Sequence, residues 1–504
     1  MIFYILKVPM ANNDQLSFLD WLVILSYIAG MLFIGWFYSR RNKTKDDYLL
    51  GGRKMNPIAI GISLFATLMS TLSYLTYPGE TILHGPIILA GVLSFPLVYY
   101  IVGWWLIPRF MKMKVTSAYE ILEKKLGLSV RMLAIFMFLS LRLLWMATII
   151  YVTVDVALHS VLQFDRAYVP YIGAFLTVIT IFYTSMGGLK AVVVTDVTQT
   201  FIFLGGALFS IIVVSYQLGS FSAIFPSSWP EHWDTLRLGF DPLERTTLGN
   251  AILVSFSWYV CTSGSDQLAV QRYLSTTDIK AARRSFGVSL YSNIIAYILL
   301  GLVGLSVLAY FTQHPEFLDT GKSLTEQADN LFPRFIMIGL PSGLSGLVIA
   351  GLLAAAMSSL SAGLNSVSSV ISEDIIKRFR RKEKSSKDQL RQIKNLSYFT
   401  GAIVLGLSFF VQEVPGNLLD ILMRVVNLFV APLFVLFFMA LFIPFSTGRA
   451  TFRAGIIAIA TAIAVAFWGI FGITVLWIMP VSFVTGALSG VLLSLLDRAI
   501  LQKS

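Results

Sequence analysis

The segment from residue 351 to residue 372 carries many hydroxyls and few large side chains, and it has the length of a helix. Ala355, Ser358, Ser359 and Ala362 fall at positions i, i+3, i+4 and i+7, so they share one face of that helix. Hydroxyls in hydrocarbon need partners, because an unsatisfied polar group there costs several kcal/mol. Neutral oxygens beside small side chains suit a small, hard cation. The same pattern suits close packing of two membrane helices, and this segment alone leaves both interpretations open.

Two further apolar segments combine hydroxyls with glycine or proline. The segment 57–77 carries several hydroxyls and closes on Tyr77-Pro78-Gly79, whereas the segment 247–268 contains Thr262-Ser263-Gly264-Ser265-Asp266. Such interruptions let backbone carbonyls leave the helix and face a cavity, as in the discontinuous helices of secondary transporters. We therefore expect a helix break in each segment, although ordinary kinks would give the same pattern.

The rest of the chain consists of apolar runs long enough to hold these segments in a bilayer. The composition is 56% hydrophobic and 13% charged, with a mean hydropathy of +0.76, which is not that of a soluble globular protein. About thirteen runs have the length of a membrane-crossing helix. They are 18–38, 57–77, 86–107, 131–160, 168–185, 189–217, 247–268, 285–311, 339–372, 395–411, 417–444, 453–470 and 473–496. Transmembrane strands would alternate polar and apolar residues, so we predict an all-α integral membrane protein.

The charges predict the orientation of the chain and exclude several classes of function. Most of the 38 lysines and arginines lie in alternate loops, which places the N-terminus outside and the C-terminus in the cytoplasm. The basic run Lys377–Lys394 is then a topology and lipid-headgroup determinant, not a nucleic-acid site. The single cysteine, Cys261, excludes an internal disulfide, and the four histidines show no ligand spacing. We therefore expect no enzyme and a multi-pass protein of the cell (inner) membrane.

The positions of the two interruptions predict an internal repeat. The second lies five spans after the first, which fits two halves of five helices each, 57–217 and 247–444, related as an inverted repeat. The residues before the first half, 1–56, would hold an outer N-terminus, one peripheral helix and a basic cytoplasmic loop. The residues 218–246 would form an extracellular loop. The residues 445–504 would add two helices and a short cytoplasmic tail.

Four segments resemble the sodium/solute symporter family in the order that the family shows. They are Asp47–Arg53, Tyr183–Val192, Asp266–Leu274 and the hydroxyl-rich Ala355–Ser366. The resemblance covers most of the chain and is nearest to the sialic acid, monocarboxylate and multivitamin branches. It implies the leucine-transporter-like fold and sodium-coupled uptake of a solute by alternating access.

The resemblance also implies a principal sodium site between the first and eighth helices of the repeat. Its ligands would be the backbone carbonyls of Ala66, Met69 and Ala355 and the hydroxyls of Ser358 and Ser359. Five neutral oxygens can hold a dehydrated Na⁺ reversibly, and two helices that share the ion can be biased by its binding.

A second sodium site is present in some family members, and this chain matches it incompletely. Asp196 and Ser361 correspond to two of its ligands, but the last hydroxyl position is occupied by Ala362. We therefore expect one coupled Na⁺. Asp196 would alternatively act as a conformational or proton-linked switch.

Arg142 is the residue that most directly suggests the class of solute. A guanidinium inside a membrane helix is costly unless it is paired or faces water, and its planar fork suits a carboxylate. Relatives that carry acidic solutes use an arginine in this helix. The alternative is a structural ion pair, with Asp155, Asp420 or Glu80 as the partner.

Two serines, and the absence of residues that are typical of sugar carriers, complete the prediction for the solute. Ser70 and Ser73 match positions that contact solute in relatives. The sugar-carrying members have a Tyr-Trp pair where this chain has Thr262-Ser263, and they have a lysine in the next helix, which this chain lacks. We therefore expect a Na⁺ symporter for a small organic anion that works in the lipid bilayer as a monomer. A neutral solute, proton coupling and a membrane sensor of the same fold are the alternatives.

Overall fold

A computed structural model describes residues 16–39, 45–113, 115, 117–162, 164–379, 385–411 and 418–501. These residues are mostly helical, and no strand occurs among them. The helices of the first part of the chain are α1 (Phe18–Ser39), α2 (Lys45–Leu50), α3 (Pro57–Leu68), α4 (Thr71–His84), α5 (Pro86–Lys112), α6 (Glu120–Leu126), α7 (Leu128–Leu162) and α8 (Val169–Gln217). Those of the second part are α9 (Leu248–Ser265), α10 (Gln267–Leu274), α11 (Ile279–Gln313), α12 (Ala328–Ile338), α13 (Leu344–Ile376), α14 (Ser386–Ser408), α15 (Leu418–Phe442), α16 (Gly448–Trp468) and α17 (Ile478–Leu501).

The lengths and hydropathies of these helices fit a bilayer. Within the described ranges, nine helices are long and apolar enough to cross a membrane. Helices α3 and α4 pass the same test as a pair, bent by 66° at a short break. The prediction of an all-α, multi-pass membrane protein is therefore confirmed.

Helix α13, which contains the hydroxyl-rich segment, lies at the centre of the bundle. In its most apolar window 94% of the residues are buried, against 28% for α1 and 33% for the last helix, α17. It packs on α8, α1, α7, α14 and the broken pair α3–α4. The hydroxyls of α13 are therefore shielded from lipid, and their partners come from neighbouring helices.

The first helix break lies between α3 and α4 and not at the proline. Helix α3 begins at Pro57, and the side chain of Asn56 caps it by accepting hydrogen bonds from the backbone N–H groups of Ile58 and Ala59. Its last helical residue is Leu68, and the backbone of Met69 and Ser70 is extended. Pro78 lies inside α4, so the break predicted at Pro78-Gly79 is wrong. A proline within a helix removes only one backbone donor. At Met69, by contrast, the Ser359 side chain of α13 stabilises the carbonyls of Thr67 and Met69, which the break leaves without intrahelical partners.

The second break falls where the sequence predicts it. Helix α9 ends at Ser265, and Asp266 is extended before α10 begins at Gln267. The Asp266 side chain caps α10 by accepting a bond of 2.9 Å from the Leu268 backbone N–H. A residue that favours the N-cap position thus restarts the helix.

Gly188 divides the long helix α8 into two. Its backbone has φ +59° and ψ −164°, a conformation that residues with a Cβ essentially never adopt. A Cβ at this position would also lie 2.9 Å from the Tyr48 carbonyl oxygen. The predicted division into spans 168–185 and 189–217 therefore corresponds to this glycine.

We expect Gly188→Ala to lower the midpoint of thermal unfolding in detergent, with a loss of about 2 kcal/mol or more. Both the backbone strain and the contact with Tyr48 contribute to that loss. Gly205→Ala on the same helix is the control, because a Cβ there meets nothing within 4 Å and its φ is ordinary. Equal midpoints for the two variants would contradict the role assigned to Gly188.

Candidate cation and solute sites

The break between α3 and α4 brings backbone carbonyls against hydroxyls of α13. Ser359 Oγ lies 3.1 Å from the Thr67 carbonyl oxygen and 3.4 Å from that of Met69. Ser359 therefore bridges the end of α3 and the extended residue that follows. Both carbonyls lie at a helix end, where the intrahelical acceptor positions are free.

The residues of the predicted principal sodium site lie together. A cavity of about 10 Å³ is lined by Ala66, Met69, Ala355 and Ser358, and Ser359 follows directly on α13. This is about the volume that one water-sized sphere needs. The rest of the lining is formed by Phe65, Gln199, Thr200, Phe203 and Ala354, so the wall of this space is mostly apolar. The oxygens that a small monovalent cation would need lie beside it, at Ser358, at Ser359 and at the carbonyls of the helix break.

Asp196 lies on α8 beside this cavity and is fully buried. Its carboxylate accepts a bond of 2.5 Å from Ser63 on α3 and one of 2.7 Å from Ser358 on α13. Ser358 therefore belongs both to the cavity and to the environment of the carboxylate. Ser361, predicted for a second site, donates to the backbone carbonyl of Ser358 at 2.9 Å.

Arg272 on α10 is the cation nearest to Asp196, and the sequence did not indicate it. Its Nη2 lies 3.6 Å from Oδ2 of Asp196 and donates to Thr67 Oγ1 at 2.9 Å. The side chain is fully buried. The predicted apolar run ends at residue 268 and leaves Arg272 outside the span, whereas α10 carries this residue into the protein interior. The signal available was the segment Asp266–Leu274, which resembles the family but extends past the predicted end of the apolar run.

A larger cavity of about 70 Å³ lies on the other side of the break, and Met69 lines both cavities. Ser73, which was predicted to contact solute, is part of its wall. Aromatic rings and neutral polar groups make up much of the rest, namely Tyr77, Trp145, Ser255, Trp258, Tyr259, Asn293 and Tyr297. These lining residues, apart from Ser73, were missed because aromatic and polar residues within apolar helices carry no distinctive spacing.

Two hydroxyl pairs set the polarity of the larger cavity. Tyr77 donates to the Tyr297 hydroxyl at 2.6 Å, and Tyr259 donates to Asn293 Oδ1 at 2.7 Å. The first pair joins α4 of the first half with α11 of the second half, and the second pair joins α9 with α11. An apolar wall with a few placed polar groups is the usual composition of a small-molecule site.

The other two residues predicted to bind solute lie near this cavity but do not line it. Ser70 is fully buried at the break, and its Oγ has no hydrogen-bond partner. Arg142 on α7 forms an ion pair with Asp266, a partner that the sequence did not suggest. Its guanidinium carbon lies 5.5 Å from the ring of Trp145, which does line the cavity.

The three carboxylates considered as partners of Arg142 have other neighbours. Asp155 lies 3.8 Å from Arg166, and Asp420 lies 3.5 Å from Arg245. Glu80 accepts a bidentate contact from Arg245, with one bond of 3.2 Å. Arg142 therefore pairs with Asp266, a residue outside the three that the sequence suggested as its partners.

Comparisons with known proteins agree with this geometry. The model of the sodium:solute symporter family matches residues 48–458. A sodium/sialic acid symporter of Proteus mirabilis is 29% identical over 89% of each chain. The sodium-coupled monocarboxylate transporter 1 of Homo sapiens is 29% identical over 88% of this chain and 73% of its own length.

A solved structure supports the same assignment. The substrate-bound, outward-open form of a Na⁺-coupled sialic acid symporter superposes with a TM-score of 0.83 at 25% identity, covering 95% of this chain and 98% of the other. The family match extends from α2 to α16 and includes both cavities and both helix breaks. The chain therefore belongs to the sodium:solute symporter family.

Proposed function

We propose that this chain imports a small organic anion by symport with one Na⁺, using alternating access. The observation that carries the proposal is the shared wall of the two cavities. Met69 lines both the small cavity beside Ser358 and the larger aromatic one. An ion in the first and a solute in the second would stabilise the same helix break, and this is the physical requirement for coupling.

The proposed site assignments follow from the same geometry. Ala66, Met69 and Ala355 would supply carbonyl ligands to Na⁺, and Ser358 and Ser359 would supply hydroxyl ligands. The solute would contact Ser70 and Ser73 at the break, and its carboxylate would reach Arg142. Because Nε of Arg142 has no hydrogen-bond partner, the guanidinium keeps a donor that a second carboxylate could accept.

Ion pairs at the two ends of the bundle support alternating access. In one cluster, Arg245 joins Glu80 of α4 and Asp420 of α15. In the other, Arg131 lies 2.5 Å from Asp374. Each cluster connects the first half of the chain with the second, so relative motion of the halves would open one cluster at a time.

The finer architecture belongs to the same proposal. The helices divide into α3–α8 and α9–α15. Each half has five spans if every broken pair is one span, α8 is two, and the short helices α6 and α12 are not counted. With α1 before and α16 and α17 after, this gives thirteen spans and an inverted repeat over 57–217 and 247–444. The remaining regions are 1–56, 218–246 and 445–504. The N-terminus would lie outside the cell (inner) membrane, the C-terminus inside, and a monomer would suffice.

The energetics make the charge of the solute important. One charge moving through 100 mV contributes about 2.3 kcal/mol, and a tenfold sodium gradient contributes about 1.4 kcal/mol. A neutral solute moving with one Na⁺ would use both contributions. For a monoanion the transported charges cancel, so only the sodium gradient remains and accumulation should stay near tenfold.

A neutral solute is the second candidate, because none of the described residues that line the larger cavity is charged and Asp266 already neutralises Arg142. Uptake into proteoliposomes separates the two candidates, with labelled sialic acid, short monocarboxylates, a vitamin acid, proline and galactose tested in external Na⁺ or K⁺. We expect Na⁺-dependent uptake of an acidic compound. Uptake of a neutral compound alone would favour the second candidate, and uptake that is equal in K⁺ would contradict sodium coupling.

A further inference from the structure

We propose that the side-chain oxygen of Gln199 is a further ligand of the cation at the small cavity beside Ser358, and that Tyr27 of α1 fixes its orientation. The proposal rests on the sodium symport proposed above and adds a residue to its ion site. Gln199 lies on α8, one turn after Asp196, and is part of the wall of the small cavity. The five ligands assigned above come from α3, from the break that follows it and from α13, so Gln199 would add a contact from another helix.

The oxygen of Gln199 is buried without a partner. Only 1% of the residue is exposed, and its Oε1 accepts no hydrogen bond from any residue that the structure describes. A buried acceptor in this condition destabilises the fold unless a ligand or an ordered water contacts it. Gln199 therefore presents a polar atom to a mostly apolar space, which is the arrangement expected at a binding site.

The hydroxyls around the cavity favour a cation as the partner of this oxygen. Ser358 Oγ donates to the Asp196 carboxylate at 2.7 Å, and Thr200 Oγ1 donates to the Asp196 backbone carbonyl at 2.8 Å. Ser359 Oγ donates to the carbonyls at the helix break. Because each of these hydroxyl hydrogens is already used, the three oxygens can only accept, as Oε1 of Gln199 does. A space whose polar neighbours are acceptors suits a cation.

Tyr27 of α1 determines which way the amide of Gln199 points. Gln199 Nε2 donates to the Tyr27 hydroxyl at 2.9 Å, and that hydroxyl donates to Met357 Sδ at 3.4 Å. A methionine sulfur can only accept, so the hydroxyl hydrogen is used and the hydroxyl oxygen needs a donor. The NH₂ group of Gln199 is therefore the end that faces Tyr27, which leaves Oε1 for the cavity. Because α1 lies before residues 57–444, the ion site would depend on a helix outside the proposed repeat.

The test measures the apparent Kd for Na⁺ without any solute, from the rise in the midpoint of thermal unfolding in detergent as Na⁺ replaces choline. Gln199→Met keeps the length of the side chain and removes the oxygen, so we expect the Kd to rise by about tenfold or more. Gln199→Glu keeps an oxygen and should bind Na⁺ at least as tightly as the wild type does. Both variants lose the N–H group that bonds to Tyr27, so equal losses in the two would show a structural role alone and would overturn the proposal.

Tyr27→Phe tests the orientation of the amide separately. It leaves Oε1 of Gln199 in place but removes the hydroxyl that holds the NH₂ group, so we expect the Kd for Na⁺ to rise by about threefold. An unchanged Kd would overturn the role assigned to Tyr27.

Gln271→Met is the matched control for Gln199→Met. Gln271 is also buried, its Nε2 donates to the Leu49 carbonyl at 2.6 Å, and its Oε1 likewise has no partner among the described residues. It lines neither cavity, so its replacement should leave the Kd for Na⁺ unchanged. A wild-type Kd for Gln199→Met would overturn the proposal and leave sodium symport intact, because the oxygen would then meet only water.

A second variant keeps the test decisive if Gln199→Met does not fold. Gln199→Asn withdraws the oxygen by one methylene and keeps the amide, and we expect it to weaken Na⁺ binding in the same way. A wild-type Kd for Gln199→Asn would then overturn the proposal. A wild-type protein that Na⁺ stabilises no more than choline does would contradict the ion site itself, and with it the proposed symport.

Discussion

Arg142→Lys should reduce uptake of an acidic solute by about tenfold to a hundredfold, while the protein remains folded. Lysine keeps the positive charge that Asp266 requires, so the buried ion pair is not left with an unpaired carboxylate. It loses the planar fork, and hydrogen bonds between charged groups contribute about 1.5–3 kcal/mol. Initial rates of uptake at a fixed sodium concentration measure the effect.

Arg424→Lys is the matched control for this prediction. Arg424 also lies within a span, but its Nη1 donates to the Ala466 backbone carbonyl at 2.8 Å, and the residue is not part of the lining of either cavity. We expect it to leave uptake near the wild-type rate. Thermal unfolding of both variants separates a local loss of binding from a loss of fold. Wild-type uptake by a folded Arg142→Lys protein would remove Arg142 from the solute site.

Ser359→Ala should raise the sodium concentration for half-maximal uptake by about tenfold or more. The substitution removes one oxygen from the proposed coordination shell, and loss of a hydrogen bond or ligand to a charged group costs about 1.5–3 kcal/mol. It also removes the bridge from Ser359 to the carbonyls of Thr67 and Met69, which lie at the helix break. Uptake measured over a range of Na⁺ concentrations, with the ionic strength held constant by choline, reports the shift.

Ser366→Ala provides the comparison on the same helix. Ser366 is also fully buried, but its hydroxyl donates to the Gly363 carbonyl of its own helix at 3.0 Å. Its removal should leave the sodium dependence unchanged. If Ser359→Ala shows the same sodium dependence as Ser366→Ala, the cation site is not where we place it.

The membrane class and the helical segments were predictable because hydrophobic length is a strong and local signal. The position of the first break was not, since Pro78 and Gly79 are the conspicuous residues in the sequence and yet lie within α4. What breaks the helix at Met69 is the surroundings, including a serine nearly three hundred positions later. Such a long-range contact cannot be recognised from the residues next to the break.

The candidate cation site was predicted better than the solute site for a related reason. Ser358 and Ser359 belong to a compact pattern on one helix face, and the resemblance carries their partners with it. Arg142 was easily recognised as a charge in an apolar run. Its partner, Asp266, was not recognised, because it belongs to a polar segment that was interpreted only as a helix break. Arg272 was concealed in the same way by lying past the end of the apolar run.

The short helix α10 has a consequence for how this protein is made. It carries Asp266 at its start and Arg272 near its end, and these residues face Arg142 of α7 and Asp196 of α8. Helices α7 and α8 are synthesised first, so each enters the bilayer with one unpaired charge, at a cost of about 2.5–3.5 kcal/mol at the centre of a span. The arrival of α10 from the ribosome neutralises both charges together. A chain that stops before residue 266 would therefore hold Arg142 and Asp196 within its spans without the partners that the folded protein gives them.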